Sequence, residues 1–223
     1  MVTQKKIWIN EHTKQETFTR MHSEKPSAPI PKFIDFLIAQ GFIPKQTEAL
    51  DIGCGKGRNS IYIAQRGFKV CGADFVPQAV EEAIKRASNF SVSAKFEIFD
   101  ISKKWPYKDN QFGAIIDCNS TICIPYLGRA NAIREAHRVL RSQGYYFFYG
   151  VGPTEVLRKL PGTERNSGIF PKTGKFEKQY SKEELLESYR DFEVVSLSSI
   201  DSSDIIEGQD IKYSMWVAVF RKK

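Results

Sequence analysis

The chain has 223 residues, of which 41% are hydrophobic, and it carries a formal net charge of +7 at pH 7. This length and apolar content suffice for one substantial buried core. No apolar run is long enough to cross a bilayer and no secretion signal is recognisable, so we expect a cytoplasmic protein without a membrane partner. The basic residues are spread along the chain, which argues against a nucleic-acid partner.

Cysteine and histidine spacing gives no sign of a metal site. The four cysteines (Cys54, Cys71, Cys118 and Cys123) form no CxxC pair and have no histidine at zinc-ligand spacing. We therefore expect reduced thiols and no bound metal. His12 and His137 are interpreted as structural residues, because His137 shares a predicted helix face with apolar side chains.

From Ala49 onward, short apolar runs alternate with amphipathic stretches, a pattern typical of parallel strands joined by crossover helices. The first five predicted strands are 49–52, 68–73, 94–99, 112–118 and 144–149. Helices are predicted at 58–66, from Pro77 onward, and at 129–140. An earlier helix, 31–40, carries apolar residues at helical spacing and ends at Gly41.

The C-terminal part of the chain predicts a helix, a hairpin and a long loop. Ser181 and Glu184 have the spacing of a capping box, which predicts a helix from there to about Tyr189. Two β-rich runs, 192–200 and 213–220, predict an antiparallel hairpin at the sheet edge. The stretch 151–179, rich in glycine and proline, predicts a lid or substrate loop. The expected organisation is an N-terminal cap segment with its helix, 1–45, followed by a core, 46–223, that contains this loop.

The main chemical signal is the glycine-rich run DIGCGKG, residues 51–57, placed where the first strand meets the next helix. Glycines at alternate positions let a backbone approach a ligand closely and adopt left-handed angles. A dinucleotide fingerprint has the spacing GxGxxG, but Arg58 stands where its last glycine would be. The turn therefore argues against a dehydrogenase.

This D-x-G-x-G-x-G spacing resembles motif I of the class I S-adenosylmethionine-dependent methyltransferases. Asp74 ends strand two, where the family's acid binds the ribose hydroxyls, and a carboxylate can accept from both. Asp100 and Ile101 follow strand three, where the family holds the adenine. The resemblance implies an α/β fold with a Rossmann-like, doubly wound, seven-stranded sheet of order 3-2-1-4-5-7-6, mostly parallel with an antiparallel strand seven. It also implies S-adenosyl-L-methionine as cofactor.

Within the superfamily, the chain resembles the tellurite-resistance group, also described as methyltransferase type 11/12-like small-molecule enzymes. The residues that carry this likeness are Thr19 to Ser23, the run GCGKGRNSIYIAQRGF, Gly168 to Pro171, and Tyr180 with Ser181. The matching family segment around His22 folds over the cofactor, which makes His22 a candidate general base. A capping or packing role for His22 stays open.

The candidate site residues follow from these motifs. Residues expected to bind the cofactor are Asp51, Gly53, Cys54, Gly55, Gly57, Asn59, Asp74, Phe75, Asp100, Ile101, Asp117 and Cys118. The residues expected to bind the substrate are Arg20, Tyr126 and Phe170. Basic lid residues, namely Arg158, Lys159, Arg165 and Lys172, would attract an anionic acceptor.

The predicted function is methyl transfer from S-adenosylmethionine to a small-molecule acceptor by a monomer or homodimer. A nucleic-acid or protein methyltransferase is a second hypothesis, weakened because no N-P-P-Y-like clamp follows strand four and no recognition domain is visible. A catalytically silent cofactor-binding module is a third hypothesis. The intact acids Asp74 and Asp100 argue against that module.

Overall fold

The computed structural model describes residues 3–13, 23–154, 159–206 and 209–223. Its α-helices are α1 (Gln4–Thr13), α2 (Ile30–Ala39), α3 (Arg58–Gln65), α4 (Pro77–Asn89), α5 (Tyr126–Val139) and α6 (Lys182–Ser188). Its strands are β1 (Glu48–Ile52), β2 (Lys69–Asp74), β3 (Lys95–Ile98), β4 (Phe112–Cys118), β5 (Leu140–Val151), β6 (Ser167–Ile169), β7 (Phe176–Lys178), β8 (Phe192–Ile206) and β9 (Gln209–Lys222). Short 3-10 turns lie at Pro44–Gln46 and Thr121–Cys123.

Seven of these strands form one sheet of order β3-β2-β1-β4-β5-β9-β8. The first five strands pair in parallel, whereas β9 is antiparallel to both of its neighbours, β5 and β8. In sheet numbering this is the expected order 3-2-1-4-5-7-6 with an antiparallel strand seven, so the predicted fold class is confirmed. The edge hairpin is also confirmed, although both of its strands are longer than predicted.

The sheet is covered on both faces because alternate side chains of its strands point in opposite directions. On one face, Phe33 of α2 packs against Phe147 of β5 with ring centroids 4.7 Å apart. On the other face, Tyr146 and Phe148 pack among residues of α5 and α6. The two cores fix the sheet rigidly, so the loops at the carboxyl ends of its strands have a firm base.

Besides the hairpin strands, four elements differ from the sequence predictions. Strand β5 begins at Leu140 and ends at Val151, so it extends beyond the predicted 144–149 at both ends. Helix α1 was not predicted, because its sequence QKKIWINEHT has no continuous apolar stripe. The predicted lid 151–179 contains a small regular element, since β6 and β7 pair as an antiparallel two-stranded sheet. Helix α5 begins at Tyr126, three residues before the predicted start at Arg129. The capping box of α6 is present as predicted, with Ser181 and Glu184 each accepting from the other's backbone amide.

Among the described residues, no helix has both the length and the apolar character needed to cross a membrane.

Candidate functional site

A cavity of about 890 Å³ opens at the carboxyl ends of β1, β2 and β4. This is the edge at which ligands bind in open α/β sheets, because the connections leave the sheet there in opposite directions. The glycine turn after β1, the acids after β2 and β3, and residues after β4 all line it. The cavity therefore joins segments that the sequence motifs had singled out separately.

The glycine turn forms one wall of the cavity, and its backbone conformation requires glycine. Gly53 and Gly55 have φ angles of +61° and +53°. A Cβ on Gly53 would lie 2.4 Å from the Ser120 Oγ, whereas one on Gly55 would meet nothing nearer than the His12 ring at 3.7 Å. The turn is held to β2 by the Cys54 amide, which donates to the Ala73 carbonyl at 2.9 Å. The space in front of Gly55 is open to a ligand.

Asp74 lies beside this turn with its carboxylate partly satisfied by the backbone. One oxygen accepts from the Gly55 amide at 2.9 Å and the other from the Val76 amide at 3.0 Å. Each carboxylate oxygen can accept a second hydrogen bond, so both remain able to bind a pair of hydroxyl groups. Burial raises the pKa of Asp74, and the two amide donors and the nearby His12 counteract that rise.

Asp100 and Ile101 line the cavity next to the end of β3. Asp100 accepts from the Ser102 amide at 2.9 Å and pairs with the Lys5 ammonium of α1 at 2.7 Å. Burial alone would raise the pKa of Asp100, but the Lys5 and Ser102 donors hold it below its ordinary value. Asp100 is thus an ionised carboxylate next to an apolar wall formed by Ile101, the combination expected for an adenine site.

Four of the predicted site residues do not line the cavity. The buried Asp51 carboxylate accepts from the Ser60 hydroxyl of α3 at 2.6 Å, which fixes the turn from behind. Gly57 packs against α4 and β3, since a Cβ there would lie 2.9 Å from that of Ala83. Tyr126 is exposed at the start of α5. The structure thus places Asp51 and Gly57 in support of the turn and Tyr126 in solvent, and their contact with the cofactor or acceptor stays a prediction.

Asp117 is the fourth of these residues. It is completely buried, and its carboxylate accepts from the amides of Ser120 and Thr121, the Thr121 hydroxyl and the Tyr146 hydroxyl. These bonds use the acceptor capacity of both oxygens. Asp117 thus fixes the 3-10 turn after β4, and it has no acceptor left for a ligand.

The remaining predicted residues divide into two groups. Residues that line the cavity as expected are Gly53, Cys54, Gly55, Asn59, Asp74, Phe75, Asp100, Ile101, Cys118 and Phe170. Burial raises the pKa of both the Cys54 and Cys118 thiols, which keeps them protonated and poorly nucleophilic. Arg20 and the candidate base His22 lie outside the described residues.

Helix α1 covers the cavity, which the sequence interpretation missed. The Gln4 side chain donates to the Gly174 carbonyl at 2.8 Å and accepts from the Phe176 amide at 2.9 Å. Glu11 forms a buried ion pair with Lys175 at 2.9 Å. His12 was interpreted as structural, yet it lines the cavity near Asp74, and burial lowers its pKa. Helix α1 and the β6–β7 hairpin are therefore joined into one cover.

The end of the cavity under this cover is mainly apolar. Its walls come from the 3-10 turn after β4, the β6–β7 hairpin, β5 and β9. They include Ile122, Cys123, Ile124, Val151, Phe170, Phe176, Tyr213 and Met215, together with the polar hairpin residues Lys172, Thr173 and Lys175. Glu177, on β7, brings a carboxyl group into this apolar end. Of the basic lid residues predicted to face an acceptor, Lys172 lines the cavity, Lys159 and Arg165 do not, and Arg158 lies outside the described residues.

The comparison with known proteins matches the segment that contains the glycine turn and its two acids. Residues 49–144 match the family model described as "Methyltransferase domain". This segment of the chain is therefore similar to a class I methyltransferase domain. S-adenosylmethionine is the cofactor of this class, and the open turn and the two hydrogen-bonding carboxylates fit it.

Two solved structures show that the shared fold extends beyond the matched segment. A SAM-dependent methyltransferase from Methanosarcina mazei superposes with a TM-score of 0.72 at 22% identity, covering 83% of this chain and 96% of that one. TehB from Haemophilus influenzae superposes with a TM-score of 0.67 at 18% identity, covering 88% of this chain and 64% of that one. At these identities the likeness establishes the fold.

A sequence relative comes from Mycobacteroides abscessus and is named as a 2-heptyl-1-hydroxyquinolin-4(1H)-one methyltransferase. It is 36% identical over 90 residues, which are 40% of this chain and 38% of the relative. The chain thus matches less than half of the length of that relative.

Proposed function

We propose that this chain transfers a methyl group from S-adenosylmethionine to a small-molecule acceptor bound under the α1 and β6–β7 cover. The observation that carries the proposal is the continuity of one cavity, with the glycine turn and Asp74 at one end and an apolar chamber at the other. Its volume of about 890 Å³ is within the range of small-ligand sites, which run to about 1,000 Å³.

S-adenosylmethionine supplies an already activated methyl group, so the chain's own work is to bind, align and exclude water. In this proposal the Gly53–Gly55 turn receives the methionine end, Asp74 accepts from the ribose hydroxyls, and Asp100 with Ile101 holds the adenine. The residues after β4 lie between these groups and the apolar chamber. Phe170 and Phe176 close the chamber from the hairpin side and reduce its access to water.

The cover favours a small acceptor over a macromolecule. Helix α1 and the β6–β7 hairpin are hydrogen-bonded and ion-paired across the cavity, so a nucleic-acid strand or a folded protein would have to displace them. The relative from M. abscessus is named for a small quinolone substrate, which supports the same choice. A silent binding module would have no need for the apolar chamber beside the cofactor groups.

Two measurements test the proposal in sequence. Calorimetric titration with S-adenosylmethionine and S-adenosylhomocysteine should show one saturable site per chain. A screen of small acceptors should then detect S-adenosylhomocysteine release together with a methylated product. No cofactor binding would contradict the proposal entirely, whereas binding without turnover by any acceptor would favour the silent module.

A further inference from the structure

Glu177 is a carboxylic acid placed within the apolar end of the cavity. It is the middle residue of β7, and its backbone pairs with Gly168 of β6. The side chains on either side of it, Phe176 and Lys178, are buried. Strand β7 packs against the 3-10 turn Thr121–Cys123. This turn follows β4, which ends beside the glycine turn. Glu177 therefore faces the chamber close to the strand end at which the cofactor's methyl group is expected.

The carboxyl group of Glu177 has no hydrogen-bond or ion-pair partner among the described residues. The buried acids of the site are satisfied internally: Asp117 by side chains and amides, Asp74 by amides and Glu11 by Lys175. The Glu177 side chain is half-buried, and a carboxyl group in a largely apolar lining is stabilised by a ligand that donates a hydrogen bond to it. Having no partner among the described residues distinguishes Glu177 from Asp117 and Glu11, whose partners lie within the chain.

The charges around Glu177 come from several elements. Lys175 on the approach to β7 lowers its pKa, but Lys175 is itself paired with Glu11. Lys172 lines the cavity from the turn between β6 and β7. The 3-10 turn contributes Cys123, whose thiol stays protonated, and β9 contributes the Tyr213 ring. Burial outweighs the effect of Lys175 and raises the pKa of Glu177 to about 7.

We propose that Glu177 accepts the reacting O–H or N–H of an acceptor whose body is apolar, and takes its proton during methyl transfer. This rests on the proposed function. A carboxyl group without a hydrogen-bond partner selects a hydrogen-bond donor or a cation and disfavours a carboxylate, which would place two like charges together. The proposal replaces the anionic acceptor expected from the basic lid residues, and it makes His22 unnecessary as the base.

The step balances without any further reactant. The acceptor oxygen or nitrogen forms a bond to the methyl carbon, while the bond from that carbon to sulfur breaks and its electron pair stays on sulfur. The acceptor proton passes to the Glu177 carboxylate, which returns it to water after product release. A carboxylate with a pKa near 7 can both accept the proton and release it near neutral pH.

Binding of three naphthyl probes of similar size tests whether Glu177 selects a hydrogen-bond donor over a carboxylate, without requiring a known acceptor. Protein saturated with S-adenosylhomocysteine is titrated at pH 8 with 1-naphthylmethylamine, 1-naphthalenemethanol and 1-naphthoate. We expect both the amine and the alcohol to bind. The affinity for the amine should be at least about tenfold higher than that for the naphthoate, which corresponds to a difference in binding free energy of about 1.4 kcal/mol. The Glu177→Gln variant should lose this preference, and so should the parent protein at pH 5.5, where Glu177 is protonated.

Controls separate this inference from the proposed function. Glu187→Gln removes an equal charge from an exposed ion pair on α6 and should leave the probe ratio unchanged. A glutamate carbon-13 carboxyl signal that titrates near pH 7 should be present in the parent and missing in Glu177→Gln, whereas the Asp51 carboxyl signal, whose pKa burial also raises to about 7, should remain in both. With an acceptor from the turnover screen, kcat/KM should rise through pH 7 in the parent and lose that rise in Glu177→Gln.

The inference is overturned if naphthoate binds as tightly as the amine, if no probe binds, or if Glu177→Gln keeps the parent preference. Because S-adenosylhomocysteine binding is measured first on the same sample, each of these failures leaves the cofactor site and the proposed function standing. Loss of S-adenosylhomocysteine binding in the parent would instead count against the proposed function.

Discussion

The two ends of the cavity are built in different ways. The end lined by the glycine turn, Asp74 and Asp100 comes from one continuous stretch, 53–101, in which each group follows its own strand of a parallel sheet. The end under the cover is assembled from α1, the turn after β4, the β6–β7 hairpin and β9. The cofactor end of the cavity depends on local turn geometry, whereas the end under the cover depends on contacts between segments far apart in sequence.

This difference extends to the charged groups. Asp74 and Asp100 are held in place by backbone amides at 2.9 to 3.0 Å, so their positions are set before any ligand arrives. Glu177 has no such donor among the described residues, although Lys175 acts on it electrostatically. The groups that bind the cofactor are therefore in place before any ligand binds. The group proposed to select the acceptor lacks a hydrogen-bond partner until the acceptor supplies one.

The largest expected effect comes from removing the carboxylate at the preformed end. Asp74→Ala should weaken S-adenosylhomocysteine binding by the loss of two charge-assisted hydrogen bonds, each worth about 1.5 to 3 kcal/mol. Together these amount to at least about a hundredfold in affinity, measured by calorimetry. Asp109→Ala, which removes an exposed carboxylate paired with Arg138, is the matched control. Unchanged affinity in a folded Asp74→Ala protein would remove Asp74 from the site.

The next effect concerns the cover. Glu11→Gln should leave the Lys175 ammonium without its buried counterion, and breaking a buried pair costs about 3 to 5 kcal/mol. Because this pair joins α1 to the hairpin, we expect local undocking, seen as faster amide exchange in 3–13 and 167–178 with β1 and β4 unaffected. Glu82→Gln, which removes a surface pair on α4, should change neither segment. Unaltered exchange in Glu11→Gln would show that the pair does not hold the cover.

The smallest expected effect is on stability, and it distinguishes backbone strain at a glycine from a change in the shape of the cavity. Gly53 and Gly41 both have a positive φ angle. A Cβ added to Gly53 would clash with Ser120, whereas a Cβ added to Gly41 would have no heavy atom within 4 Å. Gly41→Ala should lose only about 1 to 2 kcal/mol of stability in urea unfolding, with cofactor affinity intact. Gly53→Ala should lose more and should also weaken S-adenosylhomocysteine binding. Equal effects of the two substitutions on affinity would contradict a role for the turn in binding.

The cofactor end of the cavity was predictable from short local patterns, whereas the sheet order came from the family resemblance that those patterns carry. The spacing of the glycines and the acids after β2 and β3 are contained in short segments. The position of the Asp117 side chain was not predictable, because an acid at a strand end can face either a ligand or a following turn. Its four donors come from Ser120, Thr121 and Tyr146, and the Tyr146 contact is known only once β4 and β5 are paired.

The other end of the cavity gave no comparable signal. Helix α1 has no apolar stripe, and it is stabilised by Gln4 and Glu11 bonding to a hairpin more than 150 residues away. Glu177 stands in a three-residue strand with a phenylalanine and a lysine as neighbours, a sequence with no recognisable motif. The position of Glu177 beside the 3-10 turn makes it a candidate base, and this position is known only from the folded chain.

Stepwise amide exchange tests most directly whether the cavity has one end for the cofactor and another for the acceptor. Saturating S-adenosylhomocysteine should slow exchange in the glycine turn and after β2, around 53–57 and 74–76. Subsequent addition of 1-naphthalenemethanol should slow exchange in α1 and in 167–178, since a closing cover buries its amides. Protection of both regions by S-adenosylhomocysteine alone, or of neither by the second ligand, would contradict this division of the cavity.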